Sequence, residues 1–568
     1  MSDNWKELVA DKRKRQQDSI PREWLIKSPP SDQLDVTSIA AECGLLTDLE
    51  YEITELQDVA ALLKRLATGE LSSVDVTKAY YKRAIIAHQL TNCLTEIFVE
   101  RALARAAELD EHLKTTGSPV GPLHGLPISL KDQIRLKGIE TTMGYVSWIG
   151  NYAEHDAVLV EILYEAGAVP FVRTNVPQTL MWPETFNNVF GRTINPYNRS
   201  LTCGGSSGGE GALIALKGSP LGIGSDIGGS IRIPSAFNGL YGLRPSYGRV
   251  PYSGAANSLE GQDSIPSVFG PMTRSLSGIK AFMQAVIAGR PWSKDPLTIR
   301  KAWDNDAYQL SEHGHGKNLV FAILWDDGSV KPHPPILRGL EFAKKALLAA
   351  GHQVVDWKPY KHGEICANLG LIWSAGASED YRTNVGQSGE PIIKSMNPNV
   401  LPDAPSFRPS NDGLSAYQLW QAQKDKTRLR KEYLDYWEAS IHQTGTGRPI
   451  DAIISPVAAY AAPPHGMNKS AAYTMVWNAL DYTALVIPLK MSVDPKTDVK
   501  ILRDGFLGED DQHAHFNSTF PLDDPQVYKN APIALQVVGR TLEEEAVIGM
   551  SEVVDAAFKA HVGADAKL

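Results

Sequence analysis

The chain has 568 residues, 43% of them hydrophobic and 21% charged, a balance that suits a globular enzyme and excludes a disordered chain. A net charge of −9 gives no basic footprint for nucleic acid, and no apolar run reaches the roughly eighteen residues that a membrane span needs. The four cysteines, Cys43, Cys93, Cys203 and Cys366, lie far apart with neither CxxC nor metal-ligand spacing, which points to reduced thiols and a cytoplasmic location.

In chain order, "MSDNWKELVADKRKRQQDSIPREWLI" carries a basic cluster without the apolar core of a secretory signal. Its basic residues, 12–15, are read as the solvated face of a helix. Apolar positions then recur at helical spacing over 55–114, with Ser72 or Ser73 placed to cap a helix. Between 119 and 289 the texture changes to short apolar runs such as "AVPFVRT" and "PLGIGSD", separated by glycine-rich loops and helical segments such as "DAVLVEILYEAG". Further on, "NLVFAILWDDG", "PPILRGLEFAKKALLAAG" and "HQVVDW" read as a strand–helix–strand crossover, so the expected class is α/β. Residues 360–448 have weaker periodicity and are read as an insertion that shapes a pocket. "DAIISPVAAYAAPPHG" and "PIALQVVGR" look like returning strands before a last helix over 542–559. The expected organisation is one catalytic body: a helical segment over 1–70, a core over 71–290, an α/β continuation with the insertion over 291–450, and returning strands and helices over 451–568.

Three segments carry candidate chemistry: "GPLHGLPISLKDQI", "CGGSSGGEGALIA" and "GSDIGGSIRIPS". The glycine clusters lack the GK[ST] of a phosphate loop and no acid is placed to hold a ribose. "GSSGG" formally satisfies the nucleophile elbow with Ser207, but the polar "RTINPYNRSLTC" stands where that motif needs a buried strand. The last segment offers Ser230 as a nucleophile, yet the nearest histidines in the chain are His155 and His313. A base other than histidine is therefore expected. Lys131 ends the apolar run "LPISL", which would carry its ammonium into the interior and lower its pKa towards neutrality. Ile227, Gly228, Gly229 and Ser230 could present uncrowded amides to an oxyanion, although a glycine pair serves a tight turn equally well. His124 is read as an ordinary loop histidine. Asp132, Asp226 and Arg232 are read as structural ion pairs or loop hydrogen bonds, Ser207 as bonded within its loop, Ser225 and Ser235 as bonded to backbone, and Cys203 as packing.

With these residues the chain resembles the amidase signature family, most closely the fungal acetamidases and fatty acid amide hydrolases, through "TNVPQ", "GRTINPYN", "GGSSGGEGALI" and "SDIGGSIRIPS" over residues 56–289. The resemblance implies a three-layer α/β/α sandwich about a mixed, twisted central sheet. It also implies a catalytic set of Ser230, Ser206 after a cis peptide, and Lys131, with substrate and oxyanion contacts at Ser206 and at 227–230, and Leu180 on the substrate channel. No metal or cofactor is implied. The implied substrate is a small aliphatic or aryl amide. A carbamate, a fatty acid amide, the glutaminase role in a tRNA-dependent amidotransferase, and a non-catalytic binding protein on the same fold are the alternatives. The N-terminus shows no transmembrane helix of the kind found in animal fatty acid amide hydrolases, which favours small soluble amides. A homodimer is compatible with the sequence.

Overall fold

Short apolar runs bounded by glycine, proline or polar loops form the strands of the structure, a computed structural model that describes residues 4–396, 413–515 and 524–565. In chain order these are β1 (Leu94–Ile97), β2 (Pro127–Lys131), β3 (Val169–Thr174), β4 (Phe186–Asn187), β5 (Gly191–Arg192), β6 (Leu221–Asp226) and β7 (Tyr241–Arg244). They continue as β8 (Val268–Thr273), β9 (Val320–Leu324), β10 (Gln353–Trp357), β11 (Ala452–Pro456), β12 (Ala484–Ser492) and β13 (Pro532–Val538). β4 and β5 pair with each other, and the rest form one sheet in the order β1-β3-β2-β6-β8-β7-β12-β13-β11-β9-β10. The sheet is mixed. β2 lies parallel to β3 and β6, and β9 parallel to β10 and β11, whereas the middle strands alternate in direction. Strands from the first and second halves of the chain thus meet at the β7–β12 pair.

Side-chain alternation shows why both faces are covered. Phe321 and Ile323 of β9 join a core cluster with Ile336, Leu340 and Leu347 of the helix Pro334–Ala349. Val320, Ala322 and Leu324, pointing the other way, join Ile365, Leu369, Leu429, Tyr433 and Trp477 from three helices on the opposite face. Burying both faces of a β-strand requires such a near-continuous apolar run, which is what "LVFAIL" supplies. The result is the α/β class with a mixed sheet between helical layers.

Three expectations need correction. The helical reading of 55–114 misses β1, four residues whose partner, β3, lies far along the chain; Ser72 does cap the helix Ser73–Thr91, accepting from the Asp75 amide. Residues 360–448, read as weakly periodic, contain the helices His362–Ser374, Ala377–Ser388 and Ala416–Glu438, while 397–412 lie outside the described residues. Nor are residues 12–15 simply a solvated face. Lys12 is buried, pairing with Glu96 and, at 2.7 Å, with Glu140. Burial would raise the Glu140 carboxyl, but Arg15 and Lys12 together bring it down to about 2.

Candidate active site

β2 ends at Lys131 with every residue buried. Ile128 and Leu130 enter the core on one face, so Ser129 and Lys131 share the other. That face meets the helix Gly208–Ala215, which begins directly after Ser206 and Ser207. The two can approach because Gly222 of β6 has no side chain: a Cβ there would stand 1.9 Å from a carboxylate oxygen of Glu210. Glu210 accepts from Ser129 (2.6 Å) and Thr174 (2.9 Å). Burial pushes its carboxyl up to about 8 despite those donors and Lys131.

The Lys131 ammonium, fully buried, lies 2.7 Å from the Ser206 hydroxyl and 2.7 Å from that of Ser225. Burial drives its pKa from 10.5 to about 7, against the pull of Asp226 and Glu210. The Gly205–Ser206 peptide is cis. Ser230 follows β6 in a loop whose carbonyl accepts from the Ser207 amide (3.2 Å), so the two serine motifs are joined through backbone. Gly229 takes φ +132°, a conformation open to glycine, and a Cβ there would strike Thr474.

Asp226 holds this loop. Its carboxylate accepts from Arg232 at 3.0 Å on both oxygens, from the Gly229 and Ile231 amides, and from Asn478. Burial alone would raise its pKa, but Arg232 brings it down to about 2. Gly229 is therefore committed to Asp226, and of the four amides expected at the oxyanion site, those of Ile227, Gly228 and Ser230 have no acceptor among the described residues. Asp226→Ala would strand the buried Arg232 guanidinium and is expected to cost about 3–5 kcal/mol of stability, read from the shift in a denaturant unfolding midpoint.

Ser230 opens on a cavity of about 60 Å³ lined by Leu180, Met181, Trp182, Ile227, Trp373 and Met475, among others. The lining is almost wholly apolar. Leu180 lines this cavity together with Ser230. Trp373, from the helix His362–Ser374, and Met475, from the helix Ala472–Leu480, carry no local sequence signal, because they reach the site from distant elements. Ser225 departs from the expected backbone bonding: its hydroxyl is engaged by Lys131 and donates to Gln133. Ser235 does donate to the Ile231 carbonyl, and Ser207 bonds the backbone of Ser225 across the motifs rather than within its own loop. Asp132 pairs with Arg173 (2.9 Å), His124 accepts from the Val120 amide, and Cys203 is a buried free thiol, all as structural roles.

The family model described as Amidase matches residues 75–548, well beyond the motifs themselves. The chain is 45% identical to an acetamidase of Aspergillus oryzae over 558 residues, covering 97% of this chain and 98% of that one. It is 43% identical to an acetamidase of Emericella nidulans, covering 98% of each. A solved fatty acid amide hydrolase superposes with a TM-score of 0.86 at 33% identity, over 98% of this chain and 95% of that one.

Proposed function

The chain belongs to the amidase family and is an amide hydrolase, and on that premise we propose that it cleaves small aliphatic or aryl amides through an acyl-enzyme on Ser230, with Ser206 and Lys131 as its proton relay. The observation that carries this reading is a buried lysine, titrating near neutrality, 2.7 Å from Ser206, whose neighbour Ser207 is bonded through its amide to the Ser230 carbonyl. Neutral Lys131 takes the proton of Ser206, and Ser206 takes that of Ser230. The Ser230 Oγ attacks the amide carbon, and the Ile227, Gly228 and Ser230 amides stabilise the oxyanion. The relay then runs backwards, the C–N bond breaks as its nitrogen is protonated, and water releases the acid. No hydrogen bond joins Ser206 to Ser230 among the described residues; such contacts commonly tighten only in the substrate complex.

The size of the cavity supports a small substrate. One water-sized occupant needs roughly 10–15 Å³, so about 60 Å³ admits a ligand of about four to six non-hydrogen atoms, the scale of acetamide or of a short carbamate rather than of a fatty acyl chain. Trp373 walls this cavity and also lines a second one of about 320 Å³ beside Leu259, Leu414 and Leu419. A panel from acetamide to hexanamide, followed by ammonia release, is expected to show kcat/KM falling with each added methylene beyond the first few. Trp373→Ala is expected to join the two spaces and raise kcat/KM for hexanamide at least about tenfold relative to acetamide. An unchanged preference in that variant would remove Trp373 as the wall. Four free cysteines, two of them buried, and the lack among the described residues of a helix long and apolar enough to cross a membrane support a cytoplasmic location.

A further inference from the structure

Lys131 stands between two hydroxyls at equal distance, Ser206 and Ser225, both 2.7 Å away. A neutral amine has two N–H bonds and one lone pair, and it can act as the base for Ser206 only if that lone pair faces Ser206. The distances alone do not select this arrangement. Gln133 does. Its Nε2 donates to the Ala256 carbonyl at 3.0 Å and to the Tyr252 hydroxyl at 2.9 Å. A carbonyl only accepts, so the side-chain amide has a single orientation, with Oε1 towards Ser225. The Ala256 amide in turn donates to the Gln133 carbonyl at 2.9 Å, which fixes the backbone as well.

Ser225 has one hydroxyl proton and gives it to Gln133 Oε1. Towards Lys131 it then offers only lone pairs. Lys131 must therefore donate an N–H to Ser225, and its own lone pair is left for Ser206. We propose that Gln133 is a positioning residue which, through Ser225, sets the direction of the proton relay, an inference that rests on Lys131 being the base. Gln133, Ser225 and Lys131 are all buried, which keeps solvent from supplying a substitute partner. The titratable groups that face Lys131, Asp226 and Glu210, are left in place by changes at 133 or 225.

The test is turnover of acetamide by wild type, Gln133→Met, Ser225→Ala and the double variant, with Lys131→Ala alongside. In Gln133→Met the Ser225 hydroxyl is free to turn its proton onto the Lys131 lone pair, and kcat is expected to fall about tenfold or more with KM within about twofold. Adding Ser225→Ala removes the competing proton, so the double variant is expected to be faster than Gln133→Met alone. A double variant as slow as the single, or slower, is the result of a purely structural role and overturns the proposal. Ser225→Ala alone, which leaves Gln133 in place, provides a second measurement. It deprives the charged lysine of an acceptor, lowers its pKa, and should move the acid limb of the pH–rate profile to lower pH. No shift, or a shift upwards, also overturns the proposal. If Lys131→Ala turns over acetamide at the wild-type rate, the base itself has been wrongly assigned and the inference falls with it; loss of activity there with an additive double variant rejects the inference alone.

Discussion

Ser230→Ala is expected to lower acetamide turnover by a factor of about 10⁴–10⁶, the loss that follows removal of a serine nucleophile from a working relay, with no comparable loss of thermal stability. The expectation singles out Ser230 because the neighbouring serines are occupied. Ser207 and Ser235 bond to backbone, and Ser225 is shared between Lys131 and Gln133. Ser230 alone of these four opens on the cavity. Ser206→Ala, which breaks the relay but leaves the nucleophile, should cost less, about 10²–10⁴. Ammonia release in single-turnover conditions distinguishes the two. If Ser207→Ala proves as damaging as Ser230→Ala while folded, the elbow reading of "GSSGG" would have to be revived.

Replacing Lys131 by methionine is expected to have two opposite effects. Activity should fall about 10²–10⁴-fold and lose its acid limb, since the wild-type rate is expected to rise through about pH 7 as Lys131 becomes neutral. Stability should move the other way. The folded-state pKa of Lys131 lies below that of an unfolded lysine, so between about 7 and 10.5 the unfolded chain binds the extra proton. The wild type therefore carries a penalty of a few kcal/mol that is full below about pH 7 and vanishes towards 10.5. Lys131→Met removes it. Unfolding followed in denaturant should show the variant gaining on the wild type at pH 7 and the gap closing as pH rises to about 10. A gap that does not change with pH would mean that the lysine is charged in the folded protein.

The parts of the site that the sequence reveals are those written in contiguous motifs. Lys131 at the end of "LPISL" announces its burial by the apolar run before it, and the structure places it at the buried end of β2. The serine motifs are equally local. Ser225 escaped because its partners are side chains on β2 and just beyond it, and nothing in "GSDIGGS" marks a hydroxyl whose proton is taken by Gln133. Within the segment read as pocket-shaping, Trp373 is not marked individually, nor is Met475 beyond it, for the same reason: both are ordinary apolar positions on helices until the fold brings them to Ser230. Lys12 shows the converse error, a basic run that looks solvated until Glu96 and Glu140 arrive from elsewhere. β1 was hidden because four residues between two long helices carry too short a period to register. In each case the missing signal is a long-range contact.

The central claim, a Ser230 nucleophile activated through Ser206 by neutral Lys131, is tested most directly by the rate and site of labelling with a small fluorophosphonate across pH 5 to 9, read by peptide mass spectrometry. The account predicts one adduct, on Ser230, with a rate that rises through about pH 7 in the wild type and is slow and nearly pH-independent in Lys131→Met. An adduct on another serine, or a wild-type rate that is flat across that range, would contradict it.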